Sequence, residues 1–238
     1  MQIVTDTGMD LDLLPHLMPE IDINVVCHVI DLDGKTYRSG EDISCGELQD
    51  LLTTTDGLPK TSVPAANEFA ETYRKLAASD PDILSIHMSS GLSGVVNAAT
   101  ATAQTVPEAN VTIIDTKTLS MSLGWQVSAA ARALKAGWPS EKIQALVKKI
   151  GDATDSIYTL SDLTYLIHGG RIGHMKGLLA SALNIKPIIG VEKVNGTYVQ
   201  LAMARTFKKA LGGLVDHVLK TFPAGSALRV QVGHGSNP

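Results

Sequence analysis

The stretch with the clearest chemical capacity is Ser89-Ser90-Gly91-Leu92-Ser93-Gly94, which sets three hydroxyls and two glycines between an apolar run and a small-residue helical pattern. Glycines allow a tight turn and hydroxyls both donate and accept hydrogen bonds, so the segment can surround an oxyanion. A helix beginning near Ser93 adds unpaired first-turn amides and the positive end of a helix dipole, which suit a carboxylate or phosphate. The same residues equally fit a simpler arrangement in which Ser93 is a helix N-cap and the glycines only shape the turn. Other hydroxyls recur at predicted turns: Thr5 and Thr7 after the first strand, and Thr61 and Ser62 within Leu58-Pro59-Lys60-Thr61-Ser62-Val63-Pro64. Hydroxyls and amides with few cations suit a carboxylic acid, because a carboxylate is costly to bury unless its oxygens are hydrogen-bonded.

Other chemistries find less support. Gly91-Leu92-Ser93-Gly94 resembles part of a nucleophile elbow, but Val95 stands where GxSxG requires glycine. A serine-dependent hydrolase or acyl transferase using Ser93, with His87 or His174 as base, is therefore the alternative rather than the leading reading. Neither a GxxxxGK[ST] loop nor a GxGxxG motif occurs. Asp6, Asp10 and Asp12 near a strand end could hold magnesium, but their types fit turn formation and capping better, so no metal site is expected.

Composition narrows the partners. Lys and Arg number 20 against 24 Asp and Glu, and no basic cluster stands out, which argues against nucleic acid. Cys27 and Cys45 form no CxxC and lack zinc spacing, as expected for reduced thiols in a cytoplasmic protein. Met1-Gln2-Ile3-Val4 leads straight into polar residues, so no signal peptide is expected. The most apolar helical stretch, Leu123 to Trp138, is interrupted by Gln126, Arg132 and Lys135, which argues against stable membrane insertion.

The elements that must position these residues alternate. Gln2–Asp6, Asn24–Ile30, Ile83–Met88 and Val111–Asp115 read as apolar strands, with helices at Asp10–Leu17, from Ala65 to Ala78, from near Ser93 to Thr105 and at Ser120–Ala136. Thr61 or Ser62 is expected to cap the second of these. Asp33-Gly34 predicts a hairpin, and Ser44-Cys45-Gly46-Glu47 a capping box. Strands that are apolar throughout and alternate with helices predict a parallel sheet covered on both faces, whose strand ends carry Asp6, Ser89 to Ser93 and Asp115. Beyond Gly151–Asp155 the texture changes. Short strands at Ser156–Leu160, Ile185–Val191, Thr197–Leu201 and Leu228–Val232, a short helix at Asp162–His168, a helix at Thr206–Thr221 and an Asn195-Gly196 turn predict a mixed or antiparallel sheet with helices. The expected architecture is α/β: an N-terminal parallel-sheet, Rossmann-like α/β domain over residues 1–153 and a C-terminal α+β domain over 154–238.

Six segments in order give the chain a family resemblance: Ile3-Val4-Thr5-Asp6 with Asp10-Leu11; Gly40-Glu41-Asp42-Ile43; Thr61-Ser62 with Pro64; Ser89 to Gly94; Asp162-Leu163 through Leu166 to Gly169-Gly170-Arg171-Ile172; and Leu183-Asn184-Ile185-Lys186-Pro187-Ile188. With these motifs the chain resembles the DegV family of bacterial lipid-binding proteins, which includes the fatty-acid-binding subunit of fatty acid kinase. The resemblance implies that a long-chain fatty acid is buried between two domains, with Thr61 and Ser93 as principal carboxyl ligands and Ser62 and the Gly94 amide close by. It places Arg171 either near the head group or facing the partner kinase. That kinase catalytic subunit would supply ATP and phosphorylate the bound acid for phospholipid synthesis, so the chain would be a carrier without a cofactor rather than the catalyst. Val63 stands where the family commonly has glutamine, Val95 where threonine is common, and Thr7-Gly8-Met9 where serines are usual. The resemblance also implies further helices and a strand past Gly233-His234-Gly235-Ser236-Asn237, ending in a glycine-rich, histidine-bearing tail, so that the sequence reads as truncated.

Overall fold

Strand β1 (Gln2–Asp6) is buried along almost its whole length, because Ile3 and Val4 point to opposite faces of a sheet that is covered on both sides. The structure, a computed structural model, describes residues 1–9, 23–175 and 185–235; the helix expected at Asp10–Leu17, Asp10 and Asp12 as metal ligands, and Leu183-Asn184 lie outside the described residues. Asn24–Ile30, expected as one strand, is divided. β2 (Asn24–Val26) pairs parallel with β1, whereas β3 (Val29–Leu32) enters a different, antiparallel sheet, and the chain changes sheets at Cys27-His28. β4 (Lys35–Arg38) returns along β3 through Asp33-Gly34, both at positive φ (51° and 75°), as the favoured two-residue hairpin turn requires.

Helix α1 (Cys45–Thr54) opens with the expected capping box, in which the Ser44 hydroxyl accepts the Glu47 amide and the Glu47 carboxylate accepts the Ser44 amide. The segment expected as a capping turn instead forms β5 (Lys60–Ser62), which flanks β3 with Thr61 opposite Ile30 and Ser62 opposite Val29. Helix α2 (Ala66–Ala77) therefore starts later, behind Ala65 and without a side-chain cap. The reason is competition: β3 offers an open backbone edge, and strand pairing leaves Thr61 and Ser62 too far upstream to cap.

β6 (Asp82–His87), α3 (Val95–Ala103), β7 (Asn110–Asp115), α4 (Ser120–Lys135) and α5 (Ser140–Asp152) complete the alternation. The main sheet has the order β2-β1-β6-β7 and is parallel throughout. On one face Leu84 and Ile86 pack with Leu123 and Val127 of α4 and Ile143 and Val147 of α5. On the other, Val4 and Ile83 pack with Phe69 and Tyr73 of α2 and Val95 and Ala99 of α3. Each fully buried aliphatic or aromatic side chain contributes roughly 2 kcal/mol, so this double cover holds the strand ends rigidly.

The chain divides into two compact units: Met1–Thr154 together with Lys193–Gly196, and the remaining residues from Asp155. In the second unit β8 (Ile157–Thr159), β9 (Lys186–Val191) and β10 (Tyr198–Ala204) form an antiparallel sheet of order β10-β9-β8. It is accompanied by α6 (Thr164–His168) and α7 (Phe207–Thr221), the latter capped by the Thr206 hydroxyl on the Lys209 amide. β9 and β10 pair as the Asn195-Gly196 signal predicts, but the connection spans Glu192–Thr197 and only Gly196 of the pair has positive φ, so it is not a two-residue turn. Leu228–Val232, expected as a strand, is exposed and outside any strand among the described residues.

Candidate functional site

The carboxyl ends of β1 and β6 place Asp6 and His87 side by side. Both side chains are fully buried, with Asp6 Oδ2 2.8 Å from His87 Nδ1. The same Oδ2 accepts the Met88 amide at 3.0 Å, and Oδ1 accepts the Gly8 amide at 2.7 Å. Burial pushes the Asp6 carboxyl up, but the His87 hydrogen bond, the charges of His87 and His28 and the Met88 amide outweigh it and hold the group below the usual carboxylate range. His87 Nε2 lies 2.7 Å from Ser85 Oγ, which is 2.9 Å from the Tyr73 hydroxyl, itself pushed by burial to about 12. A buried polar chain thus runs inward from Asp6.

Outward from Asp6 stands His28, at the point where the chain leaves one sheet for the other. Its amide donates to Thr7 Oγ1 at 2.9 Å. Its Nδ1 is 3.2 Å from Thr7 Oγ1 and 3.8 Å from Asp6 Oδ1, and its Nε2 is 3.5 Å from Ser93 Oγ. Ser93 is not the N-cap. Gly94 holds that position, and the Ser93 hydroxyl, one residue outside, accepts the Val95 amide at 3.3 Å. Asp6 therefore divides its two oxygens between two histidines, one buried and one facing Ser93.

The Thr61-Ser62 segment adjoins this group. Both residues are exposed on β5, and the following Val63 places Cγ1 3.6 Å from where a Cβ on Gly94 would stand. Within the first unit the fold thus brings Thr61, Ser62, His28, Ser93 and Gly94 to one end of the sheets. Arg171 belongs to the second unit, where its guanidinium donates to the Gly169 carbonyl and its charge partly offsets the upward push of burial on the Tyr198 phenol.

Two expectations change. Ser89 and Ser90 look as available as Ser93 in sequence, but Ser89 Oγ donates to the Gly196 carbonyl at 2.8 Å and accepts the Gly91 amide, while Ser90 Oγ accepts Lys117 Nζ at 3.1 Å. Lys117 is also paired with Asp115 at 2.8 Å; burial raises the Asp115 carboxyl, and the Lys117 and Ser90 bonds bring it below its ordinary value. As for a base beside Ser93, His87 has both ring nitrogens turned to Asp6 and Ser85, and His174 directs Nε2 to the Tyr198 carbonyl at 2.7 Å. The imidazole at Ser93 is His28, which sequence reasoning passed over as a mid-strand residue; the polar side chain following Val25-Val26-Cys27 was its one signal. Among the described residues no group of three or more His, Cys, Asp or Glu is placed to hold a metal ion, and no helix is long and apolar enough to cross a membrane.

Comparison with known proteins adds three findings. A family model described as "Uncharacterised protein, DegV family" matches residues 1–238. The DegV domain-containing protein YejH of Lactococcus lactis is 35% identical over 219 residues, covering 91% of this chain and 77% of the relative. Among solved structures, a DegV family protein from Thermus thermophilus, described as fatty-acid-binding, superposes with a TM-score of 0.80 at 30% identity, covering 94% of this chain and 78% of its own. The Streptococcus pneumoniae Fatty Acid Kinase (Fak) B3 protein, loaded with linoleic acid, shares the fold with a TM-score of 0.78 at 18% identity over 92% and 78% of the two chains.

Proposed function

The chain belongs to the DegV family, and from that membership we propose that it carries a long-chain fatty acid and presents the carboxyl group to an ATP-dependent fatty acid kinase, which converts it to an acyl phosphate. Fatty acid binding is described for the Thermus relative, and the more distant pneumococcal protein, loaded with linoleic acid, is named a Fatty Acid Kinase (Fak) B3 protein. The observation that carries the reading is the convergence of Thr61-Ser62 on β5 with Ser93-Gly94 ahead of α3. Thr61 and Ser93 are the proposed carboxyl ligands, Ser62 and the Gly94 amide their neighbours, and Arg171 a residue of the head-group or kinase-facing surface. The proposed setting is the bacterial cytoplasm.

Magnitudes divide the work. Each buried methylene is worth about 0.8 kcal/mol, so an acyl chain of roughly fifteen offers on the order of 12 kcal/mol before ordering costs. A neutral hydrogen bond nets only about 1 kcal/mol. The alkyl chain then supplies affinity, and the hydroxyls decide which end faces outward. Native mass spectrometry of the protein as purified tests this: a co-purifying long-chain fatty acid, converted to acyl phosphate on addition of a fatty acid kinase and ATP, is expected. Lipid-free protein that also fails to take up added palmitate would overturn the reading.

A further inference from the structure

The geometry points to a second role for Ser93: with His28 as general base and Asp6 and Thr7 holding that base, its hydroxyl takes the acyl group from a long-chain acyl phosphate and passes it to water.

The donor directions are consistent along the whole chain. Ser93 Oγ accepts the Val95 amide at 3.3 Å, which leaves its own proton free to point at His28 Nε2, 3.5 Å away. Accepting that proton requires the tautomer with hydrogen on Nδ1. Among the described residues, Thr7 Oγ1 at 3.2 Å and Asp6 Oδ1 at 3.8 Å face Nδ1. Asp6 is fully buried and kept in place by the Gly8 and Met88 amides and by His87, so the carboxylate that faces the imidazole is fixed. His28 is 13% exposed and Ser93 half-buried, so a reacting group can reach both. A nucleophile, a base on it and a third group orienting the base is the arrangement that defines an activated serine, recognised by geometry rather than by GxSxG. The 3.5 Å and 3.8 Å separations are longer than a made catalytic hydrogen bond, as is common before substrate binds.

The chemistry balances. Ser93 Oγ bonds to the acyl carbon as the bond from that carbon to the phosphate oxygen breaks; the serine proton passes to His28 Nε2 and from there to the departing inorganic phosphate, which leaves His28 neutral. Water then attacks the serine ester, His28 takes its proton and returns it to Ser93 Oγ, which leaves as the hydroxyl as the fatty acid is released. The sum is acyl phosphate plus water giving fatty acid plus phosphate. Developing negative charge on the acyl oxygen forms beside the N-terminal end of α3, whose dipole favours it. Such a step returns unused acyl phosphate to the carried acid.

The long-chain acyl class of the donor rests on the function proposed above, and the test separates the two. The full chain is incubated with palmitoyl phosphate, with phosphate release and intact mass followed together and any adduct located by peptide mapping. A palmitoyl ester on Ser93, absent in Ser93→Ala and slowed about 100-fold or more in His28→Ala, with partial recovery on adding imidazole, is the expected result. Imidazole rescue separates a lost base from a damaged fold. If His28→Ala does not fold, His28→Gln replaces it, with a rate that no longer varies with pH where the parent chain's rises towards alkaline pH. No ester and no phosphate release above the buffer rate from the parent chain, an adduct elsewhere, or undiminished release from Ser93→Ala each overturns the inference. Palmitate retention by the parent chain, measured in the same preparation, reports on the carrier function alone.

Discussion

Asp6 Oδ2 and His87 Nδ1 meet at 2.8 Å with neither side chain exposed, joining the carboxyl ends of two adjacent parallel strands. A buried pair of this kind is costly to break from one side, because the surviving partner keeps its desolvation penalty. Asp6→Ala is expected to destabilise the chain by about 3–5 kcal/mol, read as a lower urea midpoint. A loss below about 1 kcal/mol would show that the pair is not structural.

The same residue sets an acid dependence. The folded-state carboxyl titrates below its unfolded value, so the unfolded chain binds its proton first as pH falls. The stabilisation is complete above the unfolded carboxylate value of about 3.9 and is lost as pH drops from there through the lower folded value. Urea midpoints measured from pH 6 down to pH 2.5 should fall more steeply for the parent chain than for Asp6→Asn. Parallel curves would refute the assignment.

Retention of the acid should respond modestly to the hydroxyls. Losing two neutral hydrogen bonds at about 1 kcal/mol each predicts that Thr61→Ala combined with Ser93→Ala raises Kd for palmitate by about 30-fold. Isothermal titration with delipidated protein would measure it. An unchanged Kd would place the carboxyl group elsewhere.

Two left-handed glycines should differ in cost. Gly34 (φ 75°) has open space around it, so Gly34→Ala incurs backbone strain alone, about 1–2 kcal/mol. At Gly196 (φ 69°) an added Cβ would also stand 1.9 Å from Ser89 Oγ and 2.9 Å from the Lys117 Cα, so Gly196→Ala is expected to cost more and to break the Ser89 bond to the Gly196 carbonyl. Paired denaturation curves compare them directly; equal losses would mean the loop yields freely.

Thiol chemistry should separate the cysteines. Burial, reinforced by the Glu68 charge, raises the Cys27 thiol to about 11, whereas Cys45 is exposed at the start of α1. At pH 8 a disulfide reagent should modify Cys45 promptly and Cys27 only on unfolding, because the thiolate is the reacting species. Two fast equivalents in native protein would contradict the described packing.

Much of the main sheet was legible because its strands are apolar on both faces and alternate with helices whose buried stripes, such as Ile143 and Val147, repeat at helical spacing. Thr61 and Ser62 read as turn hydroxyls but stand on strand β5, because the open edge of β3 offers their backbone a partner that no local signal announces. What sequence could not resolve depends on remote partners. Ser89 and Ser93 are the same residue type four positions apart, and only the Gly196 carbonyl, more than a hundred residues away in sequence, separates a structural hydroxyl from an available one. His28 was hidden because Asn24–Ile30 has the texture of a single buried strand, and nothing local says that the pairing partner changes in its middle. Leu228–Val232 has strand-like alternation but no partner among the described residues, and alternation without an edge to pair with forms no strand.

The change of sheets at Cys27-His28 has an entropic consequence. Backbone ladders clamp the chain on both sides, Asn24–Val26 against β1 and Val29–Leu32 against β4 and β5, so folding rather than ligand capture meets the cost of immobilising the imidazole. On the function proposed above, an incoming head group would find His28 preorganised and would spend little of its binding free energy on ordering it.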